Sequence, residues 1–97
     1  MLVKLHKKDN RVVAAVCDKE IFGKKFEEGE LQIDLSSSFY AGRESDEVNA
    51  GDVMRNADMI NVVGEKSVNC AISEGLIDRC QVKKIAGIPY AQAVLRD

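Results

Sequence analysis

The residues of this chain best placed to do chemistry lie where a short apolar run, Met59-Ile60-Asn61-Val62-Val63, meets Gly64. The chain then passes into a helical pattern that begins Glu65-Lys66-Ser67. A strand that turns through glycine into a helix leaves the first helical N–H groups without intrahelical partners. Those groups and the helix dipole favour an anion, which the Lys66 ammonium and the Ser67 hydroxyl could assist. The chemistry would be anion binding and not nucleotide hydrolysis. In G-x-x-x-x-G-K-[ST] the lysine directly follows the second glycine; here Glu65 intervenes, and Met59 stands where the earlier glycine would be. The plainer alternative is that Gly64 only permits a tight turn, with Lys66 and Ser67 as ordinary first-turn residues.

A second candidate is Ser36-Ser37-Ser38-Phe39-Tyr40-Ala41-Gly42, which follows a predicted strand end, where loops commonly host binding groups. Joined by Asn61, Gly64 and Tyr90, it could line the pocket of a small enzyme or ligand-binding protein. A nucleophilic serine needs a base. The one histidine, His6, falls on the first predicted strand, and no G-x-S-x-G elbow occurs. The alternative is that the aromatics cover the edge of the core while the serines satisfy turn backbone. Cys17, Cys70 and Cys80 form no C-x-x-C pair. They read as ordinary reduced thiols, and no metal or cofactor is implied.

The elements that must position these groups fit in one domain of 97 residues, 45% apolar, with a net charge of −2. That charge excludes a domain-wide basic footprint for nucleic acid. It leaves room for a local patch drawn from Lys24, Lys25, Arg79, Lys83 and Lys84 beside the helix start. No apolar run approaches the roughly 18 residues of a membrane span, and the N-terminus lacks a signal-peptide pattern, so a soluble cytoplasmic protein is expected.

Two β-prone runs, from Leu2 and to Cys17, flank an Asp9-Asn10 tip and predict a hairpin, with His6 on its solvent face. Asp18 to Gly23 reads as one helical turn that Asp18 could cap. Alternation of Leu31, Ile33 and Leu35 predicts a strand. A helix capped by Ser45 or Asp46 is expected to set Val48, Val53, Met54 and Ala57 on one face. A buried strand then spans Met59–Val63. The helix after Gly64 presents Val68, Ala71, Ile72 and Leu76, and stops at Glu74-Gly75. Gln81–Ala86 and Tyr90–Leu95 close the sheet, the latter as an edge strand because of Pro89. The predicted fold class is α+β: a two-layer sandwich, with a mixed sheet of about five strands and two main helices on one face.

Four stretches taken in order carry a resemblance: V-V-A-A-V-C-D-K-E-I-F-G-K-K-F-E-E-G, F-Y-x-G at Phe39 to Gly42, N-V-V-G-E-K-S-V-x-x-A from Asn61, and G-I-P-Y-A-Q near the end. In them the chain resembles DUF424, a family of small archaeal proteins of unknown function. The resemblance implies an archaeal cytoplasmic protein with a role near translation or RNA handling, and it brings no catalytic residue. The functional expectation is therefore a small binding module for RNA or a protein of the translation apparatus. Its anchor would be the helix N-terminus at Gly64–Ser67; the alternative is the pocket of Ser36–Tyr40, Asn61 and Tyr90.

Overall fold

The computed structural model describes residues 1–96. Chain reversal at Asp9 and Asn10, with φ of 52° and 66°, joins β1 (Leu2–Lys8) to β2 (Arg11–Cys17) in the two-residue hairpin expected there. There follow β3 (Lys25–Glu28), β4 (Leu31–Asp34), β5 (Arg43–Glu44) and α1 (Glu47–Arg55). The chain continues through β6 (Met59–Val63), α2 (Glu65–Ser73), β7 (Lys83–Ile85) and β8 (Ile88–Val94).

The main sheet runs β5-β1-β2-β6-β8-β7, with β2 and β6 parallel and the other neighbours antiparallel. It has six strands where about five were expected, because Arg43–Glu44 adds a short edge strand. β3 and β4 pair only with each other, so the Leu31–Leu35 alternation builds a separate hairpin. Leu31 is 53% exposed there. β8 lies one place in from the edge, between β6 and β7, which corrects the edge position predicted from Pro89.

Both helices cover one face of the sheet, as expected. Ala14, Val16, Ile60, Val62, Ala91 and Ala93 meet Ala50, Met54 and Ala57 around α1, and Val68 and Ala71 on α2. Alanines at the sheet surface let the helices approach closely, and full burial of a side chain such as Met54 contributes about 1.5–3 kcal/mol. Asp46 is the cap of α1: its carboxylate accepts from Asn49 N–H at 2.8 Å. Val48, expected on the buried face, is 78% exposed. On the other side of the sheet, Cys17, Val63 and Leu35 form a second cluster with Phe26, Ile33, Tyr40 and Tyr90, under the β3–β4 hairpin.

Gly42 lies against the backbone of β1. A Cβ there would sit 2.1 Å from the Val3 carbonyl oxygen and 2.7 Å from the Lys4 nitrogen. Gly42→Ala is expected to push β5 away from β1 and lower unfolding free energy by about 1–3 kcal/mol in urea; an unchanged midpoint would contradict this packing.

Candidate functional site

The turn from β6 into α2 has the backbone the sequence requires. Gly64 takes φ 105°, and its N–H donates to the Pro89 carbonyl at 2.8 Å. The donors at Lys66 and Ser67 are already engaged. Lys66 N–H donates to Asp18 Oδ2 at 3.1 Å, Ser67 N–H to Asp18 Oδ1 at 2.8 Å, and Ser67 Oγ–H to the same oxygen at 2.8 Å. Asp18 is 8% exposed and Ser67 fully buried.

The anion at this helix N-terminus is therefore the protein's own carboxylate, held by charge-assisted bonds. A Cβ on Gly64 would fall 2.4–2.7 Å from that carboxylate, so glycine serves the cap as well as the turn. Lys66 turns its ammonium outward to Glu20 Oε1 at 2.9 Å. That hydrogen bond raises the Lys66 pKa and lowers that of Glu20. Gly64, Lys66 and Ser67 thus present no open donor set, and the anion site expected there is closed. Asp18 makes no side-chain bond to the short turn Lys19–Ile21 that it was expected to cap. Replacing it by Ala strands two amides and a hydroxyl, and a loss of about 2–4 kcal/mol is expected in chemical denaturation; a loss below about 0.5 kcal/mol would contradict the cap.

The pocket residues share one side of the sheet without forming a pocket. Residues opposite each other in a ladder share a face. Register therefore places Lys4, Ala15, Asn61 and Gln92 in one row, and Leu2, Cys17, Val63, Tyr90 and Lys83 in the next, on the face away from the helices. Tyr40 reaches the covered end of that face. Burial pushes its pKa up to about 12. A depression of about 340 Å³ at the β8 edge includes Tyr90, Gln92 and Lys83 but neither Asn61 nor any of Ser36–Tyr40. Nor is a nucleophile assembled. Ser36 Oγ donates to Asp34 at 2.5 Å, and that bond holds the Asp34 carboxyl low. His6 stacks on Phe39 at 4.4 Å, and its Nε2–H donates to the Phe39 carbonyl at 2.9 Å.

What the sequence missed is the charge of this face. Lys4 and Lys83 stand on it, and Lys8 opposite Arg11 continues it to the hairpin tip. Among the described residues none of these four has an ion-pair partner. The carboxylate that register adds, Glu44 opposite Leu2, is paired with Lys19 at 3.0 Å. Glu28, on the covering hairpin, accepts from Ala86 N–H at 3.0 Å. Of the other cations expected to flank the helix start, Lys25 pairs with Glu27 at 3.4 Å. Arg79 and Lys84 line a cleft between α2 and β7. The alternation of Leu2, Lys4 and His6 hinted at one basic row, but only strand order adds Arg11 and Lys83 to it.

Among the described residues no cluster of potential metal ligands occurs, and no helix is long and apolar enough to cross a membrane. Burial raises the Cys17 thiol from 9.0 to about 11 and also raises that of Cys70, while Cys80 is exposed. At neutral pH a thiol reagent is expected to modify Cys80 alone until the protein unfolds. The stability that a neutral, buried Cys17 contributes is complete below pH 9.0 and lost as pH rises through about 11. Rapid native-state labelling of Cys17 or Cys70 would contradict the first expectation, and a stability unchanged between pH 9.0 and about 11 the second.

The chain belongs to the family described as "Protein of unknown function (DUF424)", which matches residues 6–95. It is also similar to an uncharacterized conserved protein from Methanopyrus kandleri known from a crystal structure. The two are 24% identical, with a TM-score of 0.86, and the match covers 99% of this chain and 92% of that one. At that identity the likeness shows the fold. No curated protein matches the sequence.

Proposed function

We propose that this member of the DUF424 family is a non-catalytic binding module for RNA, held on the face of the sheet away from the helices, around the β3–β4 hairpin. The observation that carries the reading is the register that gathers Lys4, Lys8, Arg11 and Lys83 on one face, without an ion-pair partner among the described residues. Cations spaced along strands neutralise successive phosphates, and such contacts position a nucleic acid without reading its sequence. The Asn61 and Gln92 amides, in the same row as Lys4, add neutral donors and acceptors to sugar and base edges. A net charge of −2 is consistent with a patch confined to one face. The serine-centred enzyme reading has no support, because His6 and Ser36 are each bonded away from the other.

The test is fluorescence anisotropy with a labelled single-stranded RNA across a salt series. Four phosphate contacts predict a log–log slope of about −3. The double variant Lys4→Glu, Lys83→Glu is expected to abolish binding, while Lys66→Glu leaves it intact. No binding at low salt, or loss of binding with Lys66→Glu alone, would refute the reading.

A further inference from the structure

We infer that the free edge of β1, beside Leu5 and Lys7, takes up an acidic extended peptide as an added strand; this site is separate from the sheet face proposed for RNA. The direction of the backbone groups follows from the start of the strand. Met1 N–H donates to the Ser45 carbonyl at 3.2 Å, and Ser45 N–H to the Met1 carbonyl at 2.7 Å. In an antiparallel ladder such mutual pairs recur at every second residue. Val3 is next, opposite Arg43, and Leu5 and Lys7 then turn their N–H and C=O groups to the same edge. β5 ends at Arg43, and Gly42 seals the β1 backbone only as far as Lys4. Among the described residues no strand lies beside Leu5 or Lys7 on that side.

A cleft of about 760 Å³ adjoins the Leu5 end of this edge, lined among others by Val3, Leu5, Arg43, Glu44 and, on α1, Asn49 and Val53; Lys7 lies beyond it. Leu5 is 50% exposed, so an apolar side chain opposite it would be buried against Leu5 and Val53. Charge selects the occupant. Lys7 and Arg43 project on the helix side of the edge and Lys4 and Lys8 on the other, and none has an ion-pair partner among the described residues. With Leu5 opposite Lys7, a second copy of β1 would set Lys4 against Lys8, a like-charge pairing of the kind by which edge strands avoid self-association. A peptide with an apolar residue opposite Leu5 and carboxylates opposite Lys7 and Lys8 satisfies both the cleft and the field. Its main chain would supply the bonds of strand addition.

The experiment is an NMR titration of the full chain with the synthetic heptapeptide acetyl-TTEETVE-amide, which in an antiparallel register sets Val opposite Leu5 and Glu opposite Lys7 and Lys8, and with its counterpart in which every Glu is Lys. The acidic peptide is expected to slow hydrogen exchange of the Leu5 and Lys7 amides about tenfold or more, with the Lys peptide inert. Lys7→Glu is expected to weaken binding about fivefold or more. Leu5→Ser, a neutral change at an exposed position, tests the apolar contact and should also weaken it. Four results would overturn the inference: equal binding of both peptides, shifts confined to other amides, protection of Leu5 that rises with protein concentration alone, or displacement of the same amides by single-stranded RNA.

Discussion

The carboxylate of Asp18 is the constraint on which the two halves of this molecule depend. β2 and β6 run parallel, with Cys17 opposite Val63, so the residues that follow them, Asp18 and Gly64, emerge side by side. The Asp18 N–H continues the ladder to the Val63 carbonyl at 3.1 Å, and its side chain crosses to the first turn of α2. Taking a carboxylate out of water is costly unless it is matched by donors. Two amides and the Ser67 hydroxyl supply them, and in return two of the helix's orphan N–H groups gain a partner. One contact thus fixes the N-terminal hairpin, the central strand and the helix that covers it.

The same contact decides where function can lie. The Asp18 carboxylate already holds the Lys66 and Ser67 amides, and the outward ammonium of Lys66 is answered by Glu20. Lys4, Lys8, Arg11 and Lys83, on the face away from the helices, are among the cations without an ion-pair partner among the described residues. There Asn61 and Tyr90, expected to line a pocket, stand in adjacent rows, with Tyr90 packed against the cluster under the β3–β4 hairpin. The β3–β4 hairpin covers the row of Cys17 and Val63, and the aromatic turn at Phe39 and Tyr40 covers His6, between Lys4 and Lys8.

Much of this was legible in the chain because it is local. Asp9-Asn10 between β-prone runs announces the hairpin, Asp46 before Glu47 announces α1, and Gly64 marks the passage from β6 to α2. The rest is set by partners distant in sequence. Asp18 looks like the cap of the turn that follows it, yet its partners lie 48 and 49 residues away. Val48 fits a helical stripe but falls outside the contact between α1 and the sheet, which ends at Ala50, Met54 and Ala57. Lys4 and Lys83 carry no shared pattern; strand order alone sets them on one face.

Native-state hydrogen exchange at the Lys66 and Ser67 amides tests the central contact most directly. Ordinary first-turn amides lack partners and exchange through local fraying. Here both should exchange only through global unfolding, with the same free energy as Val62 in the central strand. Rapid exchange at either amide, or slowing on addition of inorganic phosphate, would contradict a helix start closed by Asp18.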